Sequence, residues 1–128
     1  MKLLLDTHIF LWFIAGNPSL PTAWREAIRD PDHTIYLSSV SIWECIVKYH
    51  LGKLPLSDPP ERFLPQQRET HSILSLPLDE SCVLQLTTLP LIHRDPFDRM
   101  LICQALHHNL AIMTNDNFPQ MYPVQLFS

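Results

Sequence analysis

Four acidic residues stand where a predicted strand ends or a predicted helix begins in this 128-residue chain. Asp6 directly follows an apolar run at 3–5, and Asp116 lies two residues past the run at 111–114. Glu44 and Asp98 each fall in the first turn of a predicted helix. Carboxylates gathered at one place need a cation, or some of them stay protonated. A ligand set of oxygen atoms alone suits Mg²⁺ or Mn²⁺, which also bind phosphate oxygens.

The elements that position these acids alternate between strand and helix. The hydrophobic pattern predicts strands at 3–5, 34–37, 72–76, 111–114 and 124–126, and helices at 7–15, 23–29, 41–51, 61–69, 79–88 and 96–109. Such alternation favours an α/β fold, a central parallel sheet flanked by helices on both faces. Ligands bind beyond the carboxyl ends of such strands, so Asp6 and Asp116 are expected at one edge. We expect one compact domain over 1–128.

The predicted helix at 96–109 carries one acid on an otherwise apolar face. Asp98, Leu101, Ile102 and Ala105 follow the i, i+3, i+4, i+7 spacing of residues that share a helix face. A carboxylate at the top of a buried face is unfavourable unless something compensates its charge.

Each acid also has a purely structural interpretation. Asp6 can cap the helix that begins at Thr7, and Asp116 can be an ordinary turn residue. The segment 41–44 fits a capping box, and 95–98 resembles one with proline at the first helical position. Because no lysine or arginine is matched to each acid, the four together favour a cation site over four separate structural roles.

Composition excludes several other kinds of site. The two glycines, Gly16 and Gly52, cannot build a glycine-rich phosphate loop. The net charge of −4 gives no global basic field, so any nucleic-acid contact is local. The three cysteines form no CxxC pair, and the seven histidines show no zinc-binding spacing. His8 and His93 can reach the acidic edge, where we expect hydrogen-bonding roles.

The start of the chain briefly resembles a signal peptide, but Asp6 and His8 interrupt its apolar run. The next apolar run, at 9–15, is far shorter than a membrane span. Unpaired cysteines are typical of a reducing compartment. We therefore expect a soluble, cytoplasmic protein that makes no membrane contact.

Four segments in order resemble the signature of the PIN-domain family, and most closely its VapC-like toxins of type II toxin–antitoxin modules. They are LLDTH at 4–8, SIWE at 41–44, HRDPFDRMLI at 93–102 and TND at 114–116. The third segment is highly specific, and the resemblance covers nearly the whole chain. One departure is Asn115, where many relatives carry a basic residue.

The resemblance implies a metal-dependent ribonuclease with an α/β/α fold. The family's acidic metal-binding and catalytic positions fall on Asp6, Glu44, Asp98 and Asp116, with Mg²⁺ or Mn²⁺ as the cofactor. Thr114 is implied to form a hydrogen bond near the metal, and Asp95 to be a cap or an outer supporting group.

The family also implies an RNA substrate, a homodimer and a cognate antitoxin that blocks the acidic site. Candidate phosphate contacts are Lys48, Arg94 and Arg99, which could equally be solvated residues or counter-ions of the acids. Apolar residues on the first two helices, at 9–13 and 23–29, are candidates for the core or for these interfaces.

Two other classes fit parts of the pattern. A haloacid-dehalogenase-like phosphatase also begins with a strand that ends in an aspartate, but it needs a second aspartate where this chain has His8. A PIN scaffold that serves only as an interaction module would be expected to lack one of the acids, and all four are present. Metal-dependent cleavage of RNA discriminates among the three classes.

Overall fold

A parallel sheet of five strands forms the centre of the molecule, whose computed structural model describes residues 1–128. The strands are β1 (Lys2–Leu5), β2 (Thr34–Ser38), β3 (Leu74–Leu76), β4 (Ala111–Met113) and β5 (Gln125–Leu126), in the order β3-β2-β1-β4-β5. The helices are α1 (Thr7–Ala15), α2 (Thr22–Arg29), α3 (Ser39–His50), α4 (Pro60–Thr70), α5 (Glu80–Leu84) and α6 (Pro96–His108). The predicted fold class is confirmed.

Strand β1 lies in the middle of the sheet and is buried on both faces. Leu3 and Leu5 pack into a core with residues of α1, α2, α3 and α4, whereas Leu4 packs into a second core with α6. Successive side chains of a strand point to opposite faces, so a continuous apolar run is what a doubly covered strand requires. The result is a three-layer arrangement.

The order in which strands are added to the sheet changes direction at β1. The segment after β1 leads to β2 and β3 on one side, and β4 and β5 lie on the other side. The backbone N–H of Asp6 donates to the carbonyl of Met113 at 3.0 Å, which ties the carboxyl ends of β1 and β4 together. Ligands of open parallel sheets bind at such a switch point.

The predicted start of the third helix is wrong. Helix α3 begins at Ser39, and Ser38 is its N-cap, with a side chain that accepts from the backbone N–H of Val40 at 3.0 Å. Ser41 therefore closes no capping box with Glu44, which lies in the second turn. Its hydroxyl instead accepts a buried hydrogen bond from the Thr7 hydroxyl at 2.9 Å. The predicted helix at 79–88 also divides, because a 3₁₀ turn at Gln85–Thr87 follows α5.

Helix α1 is buried more deeply than its surplus of apolar residues suggested. Ile9 and Phe10 are fully buried, and Phe13 is 4% exposed. Of the candidates on this helix for an interface, Trp12 remains only partly covered. No helix in the structure is both long and apolar enough to cross a bilayer.

Candidate active site

The four acids singled out from the sequence line one small cavity at the carboxyl edge of the sheet. The cavity has a volume of about 180 Å³. Its walls are formed by Asp6, Thr7, His8, Leu11, Glu44, Lys48, Asp95, Asp98 and Asp116. One strand end, two helices and the loop after β4 thus bring their acids to the same place.

Asp6 is held rigidly at the base of this cavity. Its Oδ1 accepts from the backbone N–H of Thr7 at 2.7 Å, so it caps α1 as one structural interpretation predicted. Its Oδ2 accepts from the Thr114 hydroxyl at 2.6 Å. The same hydroxyl accepts from the backbone N–H of Asp116 at 3.1 Å. Thr114 therefore sets the positions of two of the acids at once.

Glu44 reaches the cavity from α3, whose position against α1 is set by the hydrogen bond between Thr7 and Ser41. The Lys48 ammonium lies 2.8 Å from Glu44 Oε2, and this hydrogen bond raises the pKa of Lys48. The expectation that no acid has a basic partner is wrong for Glu44. Lys48 is its counter-ion, although the lysine side chain is still 47% exposed.

Asp98 projects from the first turn of α6. Asp95 is the N-cap of that helix and accepts from the backbone N–H of Phe97 at 2.9 Å, with Pro96 at the first helical position. Asp98 does not complete a capping box, because its Oδ2 lies 2.8 Å from His93 Nε2. Burial raises the pKa of Asp98 to about 6, opposed by the His93 hydrogen bond and reinforced by the charges of Asp6 and Asp95.

His8 lies among the acids. Its Nδ1 is 3.2 Å from Asp6 Oδ2 and 4.0 Å from Asp116 Oδ2, and its Nε2 contacts the side-chain oxygen of Asn115. Burial lowers the pKa of His8, but the hydrogen bond to Asp6 and the neighbouring negative charges outweigh it and raise the pKa to about 9. The cavity therefore favours a positive charge strongly enough to keep an imidazole protonated at neutral pH.

The donor set fits a hard divalent cation. Carboxylate oxygens are the ligands that Mg²⁺ and Mn²⁺ prefer. The raised pKa of His8 reflects the negative charge of the neighbouring carboxylates, whereas the raised pKa of Asp98 reflects chiefly its burial. Side-chain atoms of Asp6, His8 and Asp116 lie within 4.8 Å of one another, so the two carboxylates enclose a space in which the imidazolium now supplies the positive charge.

The two arginines proposed as phosphate contacts occupy different surroundings. Arg99 donates to the carbonyl of Pro90 at 2.9 Å and to the Tyr122 hydroxyl at 3.3 Å, so its guanidinium anchors the segment before α6. These hydrogen bonds favour the alternative interpretation of Arg99, a structural role inside the protein. Arg94 is exposed next to Asp95 and forms no ion pair.

Sequence reasoning placed His8 and His93 at the acidic edge in hydrogen-bonding roles, which their contacts with Asp6 and Asp98 confirm, but it did not assign Ser41 to the site. His8 and His93 flank the motifs that carry Asp6 and Asp98, and that proximity was their only signal. The partnership of Ser41 with Thr7 has no sequence signal, because it depends on how α1 and α3 pack.

Comparison with known proteins gives one family. The family model for the PIN domain matches residues 3–120. A curated relative, Ribonuclease VapC16 of Mycobacterium tuberculosis (strain ATCC 25618 / H37Rv), is 32% identical over 57 residues, which are 44% of this chain and 40% of that protein. The chain thus spans less than half the length of that relative in the match.

Solved structures with the same fold include two VapBC assemblies. DNA-bound VapBC from Salmonella typhimurium has a TM-score of 0.66 at 22% identity, covering 100% of this chain and 97% of that chain. VapBC-1 from nontypeable Haemophilus influenzae has a TM-score of 0.65 at 21% identity, covering 100% and 98%. At this level of identity the likeness extends to the fold.

Proposed function

The chain belongs to the PIN-domain family, and from that premise we propose that it is a metal-dependent endoribonuclease that acts as the toxin of a toxin–antitoxin pair. Residues 1–128 would form one nuclease domain. The observation that carries the proposal is the convergence of Asp6, Glu44, Asp98 and Asp116 on one cavity. The ribonuclease name of the M. tuberculosis relative supports the same activity.

The four acids are the proposed ligands of Mg²⁺, with Mn²⁺ as an alternative. When bound, the cation would neutralise charge on the scissile phosphate and lower the pKa of the attacking water. Asp6 is the best-ordered ligand, because both of its oxygens are already oriented by Thr7 and Thr114. Asp116 is more exposed, at 58% of its side chain, and faces the side from which a substrate can enter.

Asp98 and His93 form a pair that can accept the proton of the attacking water. They are joined at 2.8 Å, so a proton taken up by this pair can be shared between the carboxylate and the imidazole. Asp116 is the other candidate for this role. Asp98 and Asp116 also line an adjoining cavity of about 370 Å³, which offers room for the RNA next to these two acids.

RNA binding would depend on the few basic groups beside the cavity. Arg94 is the best candidate, since it is exposed and unpaired next to Asp95. Lys48 is a second candidate, because its side chain is partly exposed and can contact a phosphate while it remains the partner of Glu44. With so few cations, phosphate contacts would be few and the salt dependence of binding shallow.

The proposed antitoxin would bind an apolar groove of about 290 Å³ beside the acidic cavity. The groove is formed by α1, α4 and the segment between α3 and α4, and its apolar walls are Leu11, Trp12, Ile14, Ala15, Leu54, Pro55, Leu56 and Phe63. Leu11 lines both the groove and the acidic cavity. A protein segment in the groove would therefore lie against the catalytic acids and could exclude RNA. The VapBC assemblies with this fold support a protein partner of this kind.

We also propose a homodimer and a cytoplasmic location. Large apolar side chains are exposed near the start of α6, namely Trp43 at 57%, Leu91 at 75% and Ile92 at 54%. Contact with a second copy of the chain would remove these side chains from water. All three cysteines are free and buried, as is usual in a reducing compartment.

The experiment that tests the activity is cleavage of end-labelled RNA by purified protein. Cleavage should require Mg²⁺ or Mn²⁺, stop with a chelator, and be lost in Asp116→Asn, whose side chain caps no helix. Asp58→Asn is the matched control, because Asp58 is an exposed aspartate outside the cavity. Cleavage that survives both the chelator and Asp116→Asn would contradict the proposal. Phosphate release from a simple phosphomonoester, without RNA cleavage, would favour a phosphatase instead.

A further inference from the structure

A second group of metal-binding side chains lies at the far end of α6. It consists of Asp79, which is the N-cap of α5, Cys82 on α5, and the adjacent His107 and His108 in the last turn of α6. One ligand atom from each of the four residues lies within 4.8 Å of the other three. We call this group the α5–α6 cluster.

The α5–α6 cluster is separate from the acidic cavity. Asp98 and His108 are ten positions apart on one helix, which corresponds to about 15 Å at 1.5 Å per residue. None of the four residues lines the acidic cavity. The chemistry also differs, because the cavity offers carboxylates whereas the cluster offers one sulfur, two ring nitrogens and one carboxylate.

Sequence spacing gave no indication of this cluster, since adjacent histidines point about 100° apart on a helix. The structure nevertheless places their rings 4.9 Å apart, nearly perpendicular. A ring nitrogen of each histidine lies within 4.8 Å of the Cys82 sulfur. Convergence of the two rings on Cys82 therefore depends on the packing of α5 against α6.

The distances within the α5–α6 cluster suit a small tetrahedral ion. The Cys82 sulfur lies 3.8 Å from His108 Nε2. With Zn–S near 2.3 Å and Zn–N near 2.0 Å, a tetrahedral site separates sulfur from nitrogen by about 3.5 Å. Asp79 uses Oδ1 to cap α5 through the backbone N–H of Cys82 at 3.0 Å, which leaves its other oxygen for a metal. All four ligand atoms lie within 4.8 Å of one another, so they are close enough to converge on one ion.

We propose that Asp79, Cys82, His107 and His108 form a Zn²⁺ site. Sulfur, imidazole nitrogen and carboxylate oxygen are all zinc ligands, and four protein ligands would close the tetrahedral shell of the ion. Binding requires the thiolate, so the Cys82 proton passes to solvent as the metal–sulfur bond forms. Cys82 is fully buried, whereas Asp79 and His107 are exposed, so the ion would enter from the solvent side.

Zinc at this site would fasten α5 to the end of α6. The chain between these two helices carries Arg99's carbonyl partners and His93, and it ends at the cap residue Asp95. Fixing both ends of that segment would limit its opening. Because the ion binds the folded protein, it would also raise the melting temperature.

A structural explanation without metal exists for part of the cluster. Histidines near a helix C-terminus interact favourably with its dipole, and Asp79 is a helix cap. These roles do not involve the Cys82 thiol. A measurement that detects a metal–thiolate bond therefore distinguishes the two explanations.

The test is titration of the metal-free full-length protein with Co²⁺, followed by ultraviolet and visible absorption. A thiolate bound to Co²⁺ gives a charge-transfer absorption in the near ultraviolet, which the sulfur-free acidic cavity cannot produce. We expect saturation at one equivalent and loss of the absorption when Zn²⁺ displaces Co²⁺. Absence of a thiolate-dependent absorption would overturn the proposal.

Variants at exposed positions keep the test independent of folding. His107→Gln and His108→Gln should each weaken Zn²⁺ binding by at least about tenfold, since even supporting groups of metal sites contribute that much. His50→Gln is the matched control, because His50 is an exposed histidine in the last turn of α3. An unchanged affinity in the double variant would overturn the assignment of these ligands. RNA cleavage by the same variants reports on the acidic cavity separately.

Discussion

Replacing Asp98 with asparagine should separate metal binding from stability. Asparagine keeps the size of the side chain but removes its charge. In the metal-free protein, the pKa of Asp98 rises from an ordinary 3.8 to about 6, chiefly because the carboxyl is buried. The ionised side chain is therefore unfavourable in the folded state by about 3 kcal/mol at most, taking 1.36 kcal/mol for each tenfold change in proton affinity.

We expect Asp98→Asn to be more stable than the parent protein when no metal is present. The folded state binds a proton at Asp98 more tightly than the unfolded state does, so the parent loses stability as the pH rises from about 4 to about 6. The gain of Asp98→Asn should develop over that interval and stay constant above it. For a domain of this size the gain would raise the melting temperature by several degrees.

The difference in stability should nearly vanish when Mg²⁺ is added. The parent should gain about 2.7 kcal/mol at a Mg²⁺ concentration one hundred times its dissociation constant. Asp98→Asn should gain little and should cleave no RNA, because a neutral oxygen replaces a charged ligand. The assay is thermal melting from pH 4 to pH 8 with and without Mg²⁺, together with the cleavage rate. Asp95→Asn, at the N-cap, should keep more activity, and Asp58→Asn should behave like the parent.

Two results would refute this reasoning. Cleavage at the parent rate by Asp98→Asn would remove Asp98 from the metal site. Asp98→Asn could also prove less stable than the parent at pH 8 without metal. That result would show that the hydrogen bond to His93 stabilises the folded state by more than burial of the charge destabilises it.

Three further predictions concern the groups around Asp98. His8 has a pKa of about 9, so protonated His8 should stabilise the metal-free protein fully below about pH 6.5, and this stabilisation should be lost as the pH rises through 9. Urea unfolding of the parent and of His8→Gln from pH 6 to pH 10 should therefore give free energies of unfolding that converge at the upper end. Arg94→Gln should raise KM for RNA several-fold, leave kcat unchanged and lower the salt dependence by about one counter-ion, whereas the matched control Lys2→Gln, at the opposite end of β1, should change neither. Thr114→Val should reduce kcat more than it raises KM, because Asp6 and Asp116 both lose the hydroxyl that orients them, and an unchanged kcat would exclude that role.

The sheet and its layers were predictable because their signals are local. The uninterrupted leucines of β1 indicate a strand covered on both faces, and the Asp95-Pro96 pair marks the start of α6. The start of α3 was not predictable from its capping signals, because two serines compete for the same role. Ser38 caps the helix, while Ser41 turns to Thr7, and only tertiary packing decides between them.

The candidate site followed from strand ends and helix starts, which topology brings to one edge. Pairing between charged residues did not follow in the same way. Lys48 lies one turn after Glu44, and this spacing predicts an ion pair, but the burial of Glu44 that makes the pair matter is a tertiary property. Arg99 shows the opposite case, since its place beside Asp98 suggested RNA while its guanidinium serves the segment before α6.

The most direct test of the metal centre is an anomalous-scattering map of crystals soaked in Mn²⁺. We predict a peak in the cavity, about 2.2 Å from oxygens of Asp6 and Asp98, with Glu44 and Asp116 bound directly or through water. The peak should disappear in crystals of Asp98→Asn. A cavity without Mn²⁺ at concentrations that support RNA cleavage, or a peak bound by other residues, would contradict the assignment of these four acids as the metal centre.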